Sequence, residues 1–139
     1  MICKWYAKGF EAAFNKEIDL DTDTVKVMLT TSSYAPNQTH KYKSSVTNEV
    51  TGAGYTAGGK TLFGKTVGAT GLTFTFDADD IVWSPSTITA RYAVFYIDTG
   101  TASTSPLLCY WDFESDQISS SGNFTLTISG SGVVTVTAA

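Results

Sequence analysis

Between Ile88 and Ile97 the chain reads ITARYAVFYI, with large apolar side chains on both parities of a two-residue period. One parity carries Ile88, Ala90, Tyr92, Val94 and Tyr96; the other carries Thr89, Arg91, Ala93, Phe95 and Ile97. Neighbouring residues of a strand point to opposite faces, so a run of this kind has to be covered on both sides. That requirement suits the wall of a sandwich or barrel. A second strand-like run, Asp80–Trp83, precedes it across Ser84-Pro85-Ser86, and the long run stops at Asp98-Thr99-Gly100, a turn signal.

The remainder of the chain agrees with a β fold. It holds 22 Thr, 14 Ser and 12 Gly, residues that favour strands and turns. Further strands are expected at 24–30, 61–67, 72–77, 107–113, 123–129 and 132–137. Residues 31–60, rich in Ser, Thr, Asn, Gly and Tyr, are expected to form long surface loops. The only helical pattern lies at 4–16, where Tyr6, Phe10, Ala13 and Phe14 recur at i, i+4, i+7 and i+8. Gly9 weakens that helix by roughly 1 kcal/mol relative to Ala, so docking of its aromatic side has to hold it. With 139 residues the chain fits one domain, 1–139. The expected class is mainly β: an antiparallel β-sandwich or jelly-roll-like domain with one short N-terminal helix.

Charge and cysteine usage narrow the function. All nine basic residues lie at or before Arg91, whereas Asp98, Asp112, Glu114 and Asp116 follow without a basic neighbour and carry the net charge of −4. They are expected to form a solvated acidic rim. Nucleic-acid binding rests on Lys and Arg neutralising phosphates, so no nucleic-acid partner is expected. The opening MICKWYAKGF lacks the apolar stretch of a signal peptide, and no apolar run is long enough to span a bilayer. A soluble protein made in the cytoplasm, with no membrane partner, is expected. Cys3 and Cys109 are too few for a disulfide scaffold or a structural zinc site. Whether the two pair with each other stays open, with a buried free thiol expected at Cys109.

Several motifs imitate chemistry that their context does not support. Gly59–Thr66 (GKTLFGKT) matches the phosphate-binding loop at every specified position, and Asp98 resembles a magnesium ligand at a strand end. Such a loop works by opening a helix whose first N–H groups hold phosphate. Here Val67-Gly68-Ala69-Thr70-Gly71 follows, which cannot sustain a helix. Gly52–Ala57 fits a dinucleotide fingerprint but runs straight into Gly58-Gly59. Asp19, Asp21 and Asp23 imitate a calcium loop, yet Thr24 and Thr30 occupy the positions that need Gly and Glu. Asp77, Asp79 and Asp80 are read as solvated. His40 is the only histidine and is expected on a surface loop, so no catalytic relay, metal site or cofactor site is expected and the chain is read as a non-enzyme.

Contacts are therefore sought among aromatic residues. Trp83 and Trp111 lie in strand-like runs and are expected in the core. Tyr34, Tyr42 and Tyr55 fall in the loop-rich region and are candidate interaction residues, because aromatic anchors are favoured at interfaces. Trp5, Tyr6, Phe10 and Phe14 of the N-terminal segment serve either the domain's own core or a neighbouring subunit, the first being the expectation.

Four segments, WYAKGFEAAFNKEIDLDTDTVKVMLTTSSY, NEVTGAGYTAGGKTLFGKTV, DDIVWSPSTITARYAVFYIDTG and PLLCYWDFESDQISSSGNFTLT, resemble a family of small proteins encoded by tailed bacteriophages and prophages. The resemblance covers nearly the whole chain. It implies a virion structural protein, with the major capsid protein or other virion proteins as partners and homo-oligomers expected. Capsid decoration (cement) is the leading expectation. A minor tail, tail-tip or fibre-associated protein that recognises host glycans is the alternative.

Overall fold

The computed structural model describes residues 1–138. It is mainly β, with one α-helix near the N-terminus. The strands are β1 (Ile2–Trp5), β2 (Val25–Thr30), β3 (Lys60–Thr61), β4 (Thr66–Thr70), β5 (Thr73–Asp77), β6 (Ile81–Ile97), β7 (Leu107–Leu126) and β8 (Val134–Thr137); the helix α1 is Ala7–Phe14. They form two antiparallel sheets, β1-β7-β6-β2-β3 and β4-β5-β8. Val25, Phe95 and Trp111 of the first sheet share one core with Phe76 and Val134 of the second, as in a β-sandwich.

The expected cover on both faces of Ile88–Ile97 holds only from Ala93 to Ile97, since Thr89 is exposed and Arg91 and Tyr92 are half-buried, and the inward side changes along the strand. Ile81 and Trp83, then Ile88 and Ala90, then Ala93, Phe95 and Ile97 all enter the inter-sheet core. The inward parity thus changes from odd to even and back to odd. Each change coincides with a register shift against β7, between Trp83 and Ser86 and between Ala90 and Tyr92. Ser84-Pro85-Ser86, expected as a break between two strands, is such an irregularity inside one strand of 17 residues. A bulge inserts residues that have no partner and so reverses which side chains face in. β7 responds likewise: Tyr96 pairs with Leu107 and Phe95 with Cys109, leaving Leu108 extra. Leu108, Cys109 and Trp111 then all reach the inter-sheet core.

The outer face of the five-stranded sheet carries a second cluster, Tyr6, Met28, Tyr34, Val94, Tyr96, Leu107 and Tyr110, with Tyr92 and Val46 against it. From the loop-rich stretch 31–60, Tyr34 and Val46 cover this cluster, whereas Val50 and Tyr55 pack into the inter-sheet core. The helix is shorter than 4–16 because Ile2–Trp5 runs as a strand beside β7, with Cys3 opposite Trp111 and Trp5 opposite Cys109. Gly9 has a positive role there. A Cβ at Gly9 would lie 2.7 Å from the Leu107 carbonyl oxygen, so the glycine lets α1 sit directly on β7.

Candidate functional site

The six candidate interaction residues separate into three groups. Tyr6 and Tyr34 are buried, at 0% and 2% exposure, and their hydroxyls share a 2.9 Å hydrogen bond. The Tyr34 hydroxyl also lies 3.3 Å from Nδ1 of His40, whose ring stacks on it. Burial pushes the Tyr6 hydroxyl well above its ordinary pKa, so it stays neutral. Tyr34 is therefore a core residue and not an exposed loop contact: five of the chain's seven tyrosines gather on this face of the sheet.

Tyr42 and Tyr55 are half-buried and already engaged. The Tyr42 hydroxyl donates to Glu17 Oε1 at 2.7 Å, and Lys41 Nζ sits 3.0 Å from the same carboxylate. Both hold the Glu17 carboxyl below its ordinary pKa, Tyr42 first. The Tyr55 hydroxyl donates to Glu49 Oε1 at 2.9 Å and accepts from the Leu29 N–H at 3.0 Å, while its ring stacks on Trp83. Tyr55 pins its loop to β2, and Tyr42 ties its segment to the connection that follows α1.

Trp5 and Phe10 are brought together. Their ring centroids are 4.7 Å apart, and Trp5 Nε1 donates to the Thr135 carbonyl at 3.2 Å. They line an apolar pocket of about 330 Å³ between α1 and the second sheet, closed on the far side by Phe74 and Val136. Every lining residue is apolar or glycine. Phe14 stands on the rim at 85% exposure, the most exposed large hydrophobic residue described. The volume is about twice the ~150 Å³ of an apolar cavity that takes up a benzene ring. Phe14, the last residue of α1, lines this pocket with Phe10 as the helical pattern predicts, yet its ring stays largely in solvent.

A second concavity, about 430 Å³, was not legible in the sequence. Ala90 pairs with Gln117 and Tyr92 with Asp112, so residues 113–116 of β7 stand opposite Arg91 alone. This wide bulge bends β7 until its two limbs enclose a groove, with Phe113 and Ile118 beside Gln117, Asn123, Thr125 and Thr127. The Asn123 Oδ1 accepts from Ser84 Oγ, and Gln117 Nε2 donates to Ser115 Oγ at 3.1 Å. The Asn123 amide donors and the Gln117 amide oxygen then have no protein partner among the described residues. The only sequence sign of it was the lapse of apolar alternation across Glu114–Gln117.

The motif look-alikes are occupied by structural work. Gly59 adopts φ 77° with its Cα packed on the Val27 carbonyl, and Thr66 enters strand β4 rather than a helix. Lys60 Nζ donates to the Val82 carbonyl at 2.6 Å, and Lys65 Nζ to the carbonyls of Leu20 and Asp23. Asp19 Oδ1 accepts from the N–H groups of Asp21 and Thr22, and Asp23 Oδ2 from that of Asp19. No group of three or more His, Cys, Asp or Glu side chains is placed to hold a metal among the described residues. Among those residues, too, no helix is long and apolar enough to cross a membrane.

The acidic rim is largely paired, contrary to expectation. Asp98 meets Lys26 at 2.9 Å, Asp112 meets Arg91 at 2.8 Å, and Glu114 meets the N-terminal ammonium at 2.6 Å. The fold brings early basic residues to late acidic ones, which spacing along the chain conceals. Cys3 and Cys109 are both free thiols, Cys109 fully buried.

No family model matches the chain, and comparison with the curated proteins and with the solved structures gives no match either.

Proposed function

We propose that the chain is a structural protein of a tailed-bacteriophage virion, a capsid decoration (cement) protein that docks on the major capsid lattice after synthesis in the host cytoplasm. The observation that carries the reading is the apolar pocket beside α1 with Phe14 exposed on its rim. Large apolar surface left in water marks a place where another surface docks. A pocket without polar lining offers no group for acid–base or nucleophilic chemistry, which favours adhesion over turnover. The resemblance of the four segments to phage structural proteins supplies the lattice as partner. Purified protein mixed with capsids that lack it should add density to the shell in cryo-EM images, and Phe14→Asp protein should not. Bare shells, with binding at the tail instead, would refute decoration.

The groove on β7 favours a second reading, a tail-tip or fibre-associated protein that recognises host glycans. Apolar side chains beside free amide and hydroxyl groups suit a sugar, which offers one apolar face and a rim of hydroxyls. Binding on a glycan array that Asn123→Ala and Gln117→Ala abolish, with label at the tail tip, would support it.

A further inference from the structure

Strand edges carry unpaired N–H and C=O groups that invite another strand, and most edges of this molecule are blunted. β3 is two residues long. β1 is four residues long and carries Lys4. The outer edge of β8 is sealed from the first sheet: Trp111 Nε1 donates to the Val133 carbonyl at 2.9 Å, and Trp5 Nε1 to that of Thr135. The distal half of β7 is broken by bulges and carries Glu114 and Asp116.

β4 has none of these defences. Its sequence, TVGAT, contains no charge and no proline, and its pairing with β5 is regular from Thr66↔Asp77 to Thr70↔Thr73. Lys65, the nearest cation, is drawn away to the carbonyls of Leu20 and Asp23. Gly71-Leu72 forms a two-residue hairpin loop, so the closing pair Thr70–Thr73 exchanges both of its hydrogen bonds. By alternation Gly68 and Thr66 also bond inward to β5, and Val67 and Ala69 point their N–H and C=O groups outward. Neither residue has a partner on that side among the described hydrogen bonds.

We infer that β4 is a self-association edge, on which β4 of a second copy pairs antiparallel about a two-fold axis through Gly68. The register follows from the strand itself. With Gly68 opposite Gly68, Val67 of each copy faces Ala69 of the other, and these are the residues whose backbone groups are free. Four new N–H···O bonds form, two in each Val67–Ala69 pair. Thr66 then faces Thr70 across the junction, a favourable cross-strand pair. Gly68 admits this approach, since a Cβ built there would meet nothing within 4 Å. The same patch is used on both copies, as a two-fold interface demands, and the two three-stranded sheets become one of six. The inference does not depend on the virion reading.

Light scattering on sized protein over a concentration series should show the mass of two chains, falling to one on dilution. Amide exchange should slow at Val67 and Ala69 as concentration rises, and not at Gly68, which is already bonded to β5. Gly68→Lys sets two ammonium groups against each other on the axis, and Ala69→Pro removes an outward N–H that the β4–β5 ladder does not use. Each should halve the mass and leave the thermal unfolding of the single chain unchanged. Gly68→Lys decides the matter should the proline variant fail to fold. A single-chain mass for the parent protein at every concentration would overturn the inference. So would a dimer that survives Gly68→Lys with the Val67 and Ala69 amides still exchanging freely.

Discussion

At the scale of single residues, the buried Tyr6 and Tyr34 hydroxyls satisfy one another, whereas Thr30 Oγ1 and Trp83 Nε1 are buried without a hydrogen-bond partner among the described residues. The Tyr6 and Tyr34 hydroxyls lie under the loop that follows β2 and bond to each other at 2.9 Å. Removing one leaves the other buried without its partner, which costs about 1–3 kcal/mol. Tyr34→Phe should therefore lower stability by that amount in urea unfolding, and the coupling should vanish in a Tyr6→Phe background. The Arg91–Asp112 pair gives a pH signature. Its hydrogen bond to Arg91 holds the Asp112 carboxyl below its ordinary pKa, as does, to a lesser degree, the Glu114 N–H. The charged form is thus favoured by folding: the stability it adds is present above the unfolded value near 4 and is lost as pH falls through the lower folded value. Asp112→Asn should flatten the acid limb of the stability profile below about pH 4 and cost little at neutral pH, where a partly exposed ion pair contributes only modestly.

Among elements, α1 shows how packing overrides propensity. Gly9 reads as a weak point, since Ala in its place gains roughly 1 kcal/mol in an isolated helix. In the fold a Cβ there meets the Leu107 carbonyl at 2.7 Å, and that neighbour is backbone. Gly9→Ala should destabilise the protein, with a lower denaturation midpoint; a gain in stability would mean that α1 does not sit this closely on β7. The long strands make a related point. The two-residue period across Ile88–Ile97 is real, and both faces are covered from Ala93 to Ile97, whereas Thr89 is exposed. Yet Ile88 and Ala93, of opposite parity, enter the same core, because the wide bulge opposite Arg91 lies between them. That bulge also bends β7 around the groove. Val67–Gly71, which cannot sustain the helix a phosphate loop needs, form a strand and its turn.

For the whole molecule, stability and docking should separate. Phe14 is 85% exposed, so Phe14→Asp should leave thermal unfolding within about 0.5 kcal/mol of the parent, as surface changes usually do. The same change should abolish attachment to capsids if the pocket beside α1 is the docking surface. The β4 edge lies on the second sheet and acts independently, so a Gly68→Lys protein should still present Phe14.

The sequence by itself determined that this protein is a β-sandwich with one short helix, because alternation, Thr-rich composition and Gly/Ser turns are local properties. It also placed Cys109, Trp83 and Trp111 in the core, since each sits in an apolar strand run. Only the tertiary structure decided which aromatic residues reach solvent. Tyr34 and Tyr55 sit in polar, loop-like sequence, but their partners are 28 and 26 residues away, at Tyr6 and Leu29. Phe14 belongs to an apolar helical stripe, yet its ring is left in solvent. The bulges of β7, the pairing of Arg91 with Asp112 and the open edge at β4 likewise depend on which distant strands meet, and a period read along one strand carries no record of its partner.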